Sequence, residues 1–178
     1  AFILMEQFFF TDPPYGIINP KRVEGFPGKM MYEGCYVFKF DLKTKLLEAF
    51  VTDMERPNGI ALSPDESKLF ISNTGEKKYI RRYDIDKNLK ITKPITFAKT
   101  DSNYVFDGFR FDADHNLWTS CGDGVACYAQ SGEQIGYIKM PERVSNLDFG
   151  GIDGKKLFIT ASTSFYMADL GIQGTKYK

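Results

Sequence analysis

Short runs of apolar residues recur along the chain and alternate with clusters of Asp, Asn, Gly, Pro and Ser. Short runs that are rich in aromatic and β-branched residues are typical of β-strands, and the polar clusters are typical of the turns between them. No segment keeps the apolar period of roughly 3.6 residues that marks an amphipathic helix. The pattern therefore predicts an all-β protein.

One strand-like phrase occurs four times, each time as a short apolar run followed by small and polar residues. The copies begin at Phe8, Leu69, Leu117 and Leu157. Three copies follow a turn that contains Asp, and another apolar run lies before each of these turns, at residues 59–62, 108–111 and 146–149. Two further runs follow each of the first three copies. Four antiparallel strands in a unit of about 40 to 60 residues form the blade of a β-propeller.

The repeat divides the chain into four units of one domain. We expect a partial blade at residues 1–55, complete blades at 57–98 and 106–139, and a partial blade at 144–170. A β-sandwich with similar hairpins is the alternative, but sandwiches do not usually repeat one phrase at blade-like spacing. The Trp-Asp dipeptide of WD40 propellers does not occur in the sequence. An incomplete ring of this kind leaves strand edges and an apolar face open.

Charge and cysteine content narrow the possible partners and the location. The 23 Lys and Arg residues balance the 23 Asp and Glu residues, which gives no reason to expect nucleic acid or a membrane as a partner. Cys35, Cys121 and Cys127 have no CxxC spacing, so we interpret them as small buried hydrophobic residues in a reducing, cytoplasmic location. The single histidine, His115, lies in a predicted turn between strands, so we interpret it as a solvated turn residue rather than as a member of a Ser-His-Asp triad.

Four phrases together resemble a known family. They are Thr-Asp-Pro-Pro-Tyr-Gly at residues 11–16, Pro-Asn-Gly at 57–59, Asp-Gly at 107–108 and Phe-Gly-Gly at 149–151. In this order they are similar to the gluconolactonase, regucalcin and senescence-marker-protein family. The resemblance implies a six-bladed propeller, of which this chain supplies about three to three and a half blades. It also implies hydrolysis of lactones, typically sugar aldonolactones, with one divalent cation at the mouth of the central channel.

The same resemblance implies roles for four residues. Asn58 and Asp107 are the expected metal ligands, and Asp107 is also expected to activate the attacking water. Their oxygen atoms are the hard donors that calcium prefers, and zinc, magnesium and manganese are the alternatives. Without the resemblance, Asn58 and Asp107 are equally typical of turns before glycine. Asp12 and Tyr15 are the candidates for substrate contact, and the alternative for them is a rigid diproline turn.

One ligand of the family has no counterpart in this chain. It is a glutamate in an early Glu-Gly-Pro phrase, so we expect either a segment that precedes Ala1 or a second copy of the chain to complete the ring. A small-molecule lactone is the expected partner. Two other functions stay open, a non-catalytic calcium-binding or interaction propeller and an esterase or phosphotriesterase on the same scaffold.

Overall fold

The computed structural model describes residues 1–18, 28–100 and 103–175. Within them lie fifteen β-strands in four sheets and one short 3-10 helix, Pro14–Gly16. The first sheet contains β1 (Phe2–Leu4), β2 (Gln7–Asp12), β3 (Tyr36–Asp41) and β4 (Leu47–Val51). The second contains β5 (Pro57–Leu62), β6 (Lys68–Thr74), β7 (Lys78–Asp84) and β8 (Ile95–Thr100). The third contains β9 (Phe106–Phe111), β10 (Leu117–Cys121), β11 (Gly124–Tyr128) and β12 (Gln134–Lys139), and the fourth contains β13 (Val144–Gly150), β14 (Lys156–Ala161) and β15 (Phe165–Asp169).

Each sheet follows chain order, and every neighbouring pair of strands is antiparallel. Sheets of this kind, arranged one after another, are the blades of a propeller, so the predicted all-β propeller fold is confirmed. The repeated phrase forms the second strand of every sheet. The first sheet, which the repeat marked as partial, contains four strands because Phe2–Leu4 pairs with β2, and the fourth contains three. The described residues contain no helix of the length and apolarity needed to cross a bilayer.

Three apolar clusters join each sheet to the next. The second strands supply both sides of these junctions because successive side chains of a strand point to opposite faces. In β6, Leu69 and Ile71 pack towards the first sheet, while Phe70 packs towards the third. The ring of Phe70 meets those of Phe97 and Phe111 edge-on, with centroids 5.0 Å apart in both pairs. A strand that is covered on both faces appears in the sequence as a continuous apolar run.

The outward faces of the first and fourth sheets carry rows of aromatic side chains, of which those on the first sheet are half-buried or buried and Phe165 on the fourth is exposed. On the first sheet, the ring of Phe10 lies between those of Phe8 and Phe38, with centroid distances of 5.5 Å on each side. On the fourth sheet, Phe158 and Phe165 stack at 5.7 Å, and Phe165 is 66% exposed. These faces match the expectation that an incomplete propeller leaves apolar surface open.

Aspartates hold the turns between the first and second strands. Asp112 is buried and accepts hydrogen bonds from the Asn116 backbone N–H at 2.8 Å and from the Trp118 indole N–H at 2.8 Å. Asp65 accepts a hydrogen bond from the Ser63 hydroxyl, and this bond is the main cause that lowers the pKa of Asp65 to about 2. The Asp65 carboxylate therefore holds its turn as an anion at neutral pH.

The three cysteines are unpaired. Cys35 and Cys127 are buried, and Cys121 is half-buried. Burial raises the pKa of the Cys127 thiol to about 12, so this group stays protonated at neutral pH. These positions agree with the interpretation of the cysteines as small hydrophobic residues.

A comparison of two phenylalanines tests the packing between blades. We expect Phe70→Ala to lower the free energy of unfolding by about 3–5 kcal/mol, because Phe70 is buried between the second and third sheets. Phe165→Ala removes the same side chain from an exposed face, and its expected cost is about 1 kcal/mol or less. Urea denaturation followed by circular dichroism measures both, and equal losses would contradict the proposed packing.

Candidate functional site

The first strands of neighbouring sheets lie side by side, with β5 packed on β9 and β9 packed on β13. A methyl group added to Gly59 would lie 2.0 Å from the backbone oxygen of Asp107. A methyl group added to Gly108 would lie 2.0 Å from Oδ1 of Asn146. Both distances are far shorter than Cβ contacts in real proteins. At Gly59 the neighbouring atom is backbone, so only glycine permits the approach, whereas at Gly108 the Asn146 side chain would have to move. The three strands therefore form the inner wall of the blade array, where first strands lie in propellers.

Asn58, Asp107 and Ser145 occupy equivalent places on this wall. Each is the second residue of its strand and follows a buried residue. Asn58 and Asp107 are half-buried, and Ser145 is exposed. The structure thus brings the two predicted ligands onto neighbouring strands rather than into turns. It also adds Ser145 as the third member of this inner row, a position that the sequence did not suggest.

The pairing between the first and second strands is irregular at the inner row. Register shifts occur between Pro57 and Ile60, between Thr119 and Cys121, and between Val144 and Asn146. Such a shift deprives backbone groups of their usual partners in the sheet. Serine hydroxyls take over this role, because Gly59 N–H donates to Ser72 Oγ at 2.8 Å and Gly108 N–H donates to Ser120 Oγ at 3.1 Å.

Tyr15 lies beside the start of β5. It belongs to the 3-10 helix, and its hydroxyl donates to the backbone oxygen of Thr74 at 3.2 Å. The guanidinium of Arg56 lies 5.8 Å from the centroid of the Tyr15 ring. Because Arg56 precedes Asn58 by two residues, the structure places Tyr15 at the end of β5 that carries Asn58.

Asp12 lies at the exposed end of β2 and accepts a hydrogen bond from the Tyr32 hydroxyl. The residue before it, Thr11, donates a hydrogen bond to the backbone oxygen of Asn58 at 2.7 Å. Asp12 is therefore also at the Asn58 end of the inner wall. All four residues singled out in the sequence therefore lie in this region. Asp12, Asn58 and Asp107 are on the first three sheets, and Tyr15 is in the 3-10 helix that follows β2.

A carboxylate that we did not predict from the sequence lies just before β13. Glu142 accepts hydrogen bonds from the hydroxyls of Ser164 and Tyr166, the latter at 2.8 Å. Glu55 precedes β5 at the same distance in sequence and accepts a bond from Glu76 N–H at 2.7 Å. The sequence contains a signal for these two carboxylates, because a Glu-Arg pair precedes the first strand at residues 55–56 and again at 142–143. Both carboxylates hold the loop that follows the second strand.

The donors of the inner row fit a calcium ion in part. Asn58 offers an amide oxygen and Asp107 a carboxylate, and both are hard donors of the type that calcium binds. Calcium takes about six to eight oxygen ligands, so other groups must complete the set. Within the described ranges, no three side chains of His, Cys, Asp or Glu form a metal-binding group, and Asn58 is not of these types.

This fold and the oxygen-bearing side chains of its inner row define the protein as a β-propeller with a candidate metal site. The sequence pattern of the SMP-30/Gluconolactonase/LRE-like region matches residues 7–163. The gluconolactonase of Zymomonas mobilis is 35% identical over 164 residues, which cover 86% of this chain and 44% of that protein. The chain therefore belongs to the SMP-30/gluconolactonase/LRE-like family, and the resemblance seen in the sequence is confirmed.

Solved structures agree with this assignment. A gluconolactonase from Xanthomonas campestris superimposes with a TM-score of 0.85 and 28% identity, and the match covers 94% of this chain and 55% of that one. Regucalcin from Agrobacterium tumefaciens, a calcium-binding protein, matches with a TM-score of 0.69 and 19% identity over 81% of this chain and 54% of that one. At this identity regucalcin shows the shared fold alone. The chain spans about half the length of these relatives.

A methyl group on Gly59 tests the close approach of the inner strands. We expect Gly59→Ala to cost about 1–3 kcal/mol of stability, because the added atom would overlap with the Asp107 carbonyl. Gly171→Ala is the matched control, since its added methyl group meets nothing within 4 Å, and it should change stability by about 0.5 kcal/mol or less. Urea titration of both variants compares them, and a stable Gly59→Ala variant would refute the contact.

The Glu142 cluster predicts a pH dependence of stability. Hydrogen bonds, above all that from Ser164, lower the pKa of Glu142 from 4.5 to about 2. Because the folded-state pKa lies below the unfolded one, this stabilisation is complete above about pH 5 and is lost as the pH falls towards about 2. Glu142→Gln should therefore flatten the decline of Tm over this range, whereas Glu133→Gln, at an exposed position, should not. Thermal melts at a series of pH values measure this dependence. Parallel curves of Tm against pH for the wild type and Glu142→Gln would contradict the lowered pKa of Glu142.

Proposed function

We propose that this protein hydrolyses lactones, with sugar aldonolactones as the substrate class. The observation that carries the proposal is the placement of Asn58 and Asp107 at equivalent positions of neighbouring inner strands. It is supported by the 35% identity to the gluconolactonase of Zymomonas mobilis. Two oxygen-donor side chains on one rigid wall suit a substrate whose reacting group is a cyclic ester.

A divalent cation is the proposed cofactor, with calcium as the first choice. Asn58 and Asp107 would hold it through their amide and carboxylate oxygens. The regucalcin relative is described as a calcium-binding protein, which agrees with this choice. When bound, such an ion polarises the lactone carbonyl and stabilises the negative charge that develops on its oxygen.

Asp107 is proposed as the general base. Its carboxylate accepts a proton from a water molecule while the water oxygen bonds to the carbonyl carbon. The bond between that carbon and the ring oxygen then breaks, and the ring oxygen takes the proton back from Asp107. The reaction adds one water molecule across the ester, yields a hydroxy acid and leaves Asp107 ionised again.

Tyr15 and Asp12 are proposed to contact the hydroxyl groups of the substrate. Both lie at the end of the inner wall that carries Asn58, and Tyr15 is held there by Thr74 and Arg56. The Tyr15 hydroxyl donates its proton to Thr74, so its oxygen and the Asp12 carboxylate would both accept hydrogen bonds from sugar hydroxyls.

Removing the charge of Asp107 tests the proposal. We expect Asp107→Asn to lower kcat/KM for gluconolactone by about 100-fold or more, because the amide cannot accept the proton. Asp153→Asn changes an exposed turn residue in the same way and should leave the rate unchanged. A pH-stat assay in calcium-containing buffer measures hydrolysis, and calorimetry measures calcium binding.

Each other outcome of this experiment has a distinct meaning. Unchanged hydrolysis by Asp107→Asn would refute its role as the base. Calcium binding without turnover of any lactone would favour a non-catalytic binding propeller. Turnover of open-chain esters or phosphotriesters alone would favour a different hydrolase on the same scaffold.

A further inference from the structure

We propose that Ser72 and Ser120 are positioning residues that set the separation of Asn58 and Asp107. They do so through one continuous chain of hydrogen bonds that passes through the peptide groups of both residues. The inference rests on the proposed function in that Asn58 and Asp107 are taken as the site. The chain of hydrogen bonds itself is a property of the fold.

The peptide group between Asn58 and Gly59 is held at both ends. The Thr11 hydroxyl donates to the Asn58 carbonyl oxygen at 2.7 Å, and Gly59 N–H donates to Ser72 Oγ at 2.8 Å. The Ser72 hydroxyl in turn donates to the carbonyl oxygen of Asp107, at 3.4 Å. Ser72 is therefore shared between the inner strands of two neighbouring blades.

The same arrangement repeats one blade further along. Gly108 N–H donates to Ser120 Oγ at 3.1 Å, and the Ser120 hydroxyl donates to the Ser145 carbonyl oxygen at 3.2 Å. The peptide group between Asp107 and Gly108 is thus also bonded at both ends. The chain of hydrogen bonds runs from Thr11 to Ser145 and crosses all four sheets.

Two properties make these serines suited to fix a distance. Ser72 and Ser120 are both 0% exposed, so solvent does not compete for their hydrogen bonds. Their side chains carry the hydroxyl on a single rotatable bond, so each spans two backbones with little freedom of its own. Buried N–H groups need a partner, and the register shifts at the inner row leave this role to the hydroxyls.

The repeat supplies both a rescue variant and a control. The fourth residue of every repeated phrase carries a hydroxyl, and these residues are Thr11, Ser72, Ser120 and Thr160. Threonine occupies this position in the first and fourth sheets, so Ser72→Thr, which keeps the hydroxyl, is the conservative variant. The Thr160 hydroxyl donates to Asn146 within its own sheet, at 3.2 Å, so Thr160→Ala removes an equivalent group that does not contact Asn58 or Asp107.

The experiment compares the wild-type chain with Ser72→Ala, Ser72→Thr and Thr160→Ala. Calorimetric titration with calcium chloride measures affinity, and two-dimensional NMR with amide hydrogen exchange follows Asn58, Gly59 and Asp107. Thr11→Val, which keeps the shape of the side chain and removes only the donor to Asn58, serves as a milder variant should Ser72→Ala fail to fold.

We expect Ser72→Ala to speed exchange of the Gly59 amide and to weaken calcium binding about tenfold, since a buried hydrogen bond is lost. Ser72→Thr should restore most of the affinity, and Thr160→Ala should change neither quantity. In the NMR spectra, Ser72→Ala should shift the signals of both Asn58 and Asp107, whereas Thr11→Val should shift Asn58 first.

The outcomes separate this inference from the proposed function. If the wild type binds calcium and Ser72→Ala binds it equally well, the positioning role is refuted. If the wild type binds no calcium, the proposed metal site fails in this chain, and the NMR spectra alone judge the inference. In that case, shifts of both Asn58 and Asp107 in Ser72→Ala uphold it, and unchanged signals or equal effects of Thr160→Ala overturn it.

Discussion

The inner strands approach one another so closely that a methyl group added to Gly59 would overlap with the backbone of the next strand, and one added to Gly108 would overlap with the Asn146 side chain. The rest of the inner wall depends on this approach. It leaves space between neighbouring backbones for a serine hydroxyl, and Ser72 and Ser120 fill it. It also places Asn58 and Asp107 at equivalent positions of adjacent strands, which is the arrangement on which the proposed site rests. A wider separation would break the hydrogen bonds between blades and separate the candidate site.

Side-chain size varies across each junction between blades in the way that this close approach requires. Glycine and serine lie where the first strands nearly touch, whereas Phe70 and Phe97 fill the space between the second and third sheets farther out. Apolar burial of large rings is the main favourable contribution to packing, and its loss leaves a cavity. The polar contacts at the inner wall contribute less to the free energy of folding, and their main effect is to fix the positions of the inner strands. The same blade therefore combines a stable core with an ordered row of backbone and side-chain oxygens.

Two carboxylates of this chain support a turn and a loop. Those of Asp65 and Glu142 are enclosed by hydroxyl and N–H donors, which lower the pKa of each to about 2 and keep them ionised. Asp107 lies half-buried on the inner wall, next to the strand that carries Asn58. The role proposed for Asp107 is chemical, as the general base of lactone hydrolysis, whereas Asp65 and Glu142 act on the structure at neutral pH.

The sequence alone determined the all-β propeller fold and the family, because one strand-turn-strand phrase recurs at blade-like spacing. It marked the first unit as partial, whereas the structure gives that sheet four strands. The Pro-Asn-Gly and Asp-Gly phrases predicted Asn58 and Asp107 as site residues. Other features depended on the tertiary structure. A serine at the end of a strand is equally typical of a turn, so only the packing of one blade on the next shows that Ser72 contacts the Asp107 carbonyl. Likewise, a register shift that no local pattern marks places Ser145 in the inner row. Hydrophobic periodicity is a local property of the chain. The contacts of Ser72 and Ser145, in contrast, join residues that are far apart in sequence and meet only because one blade packs on the next.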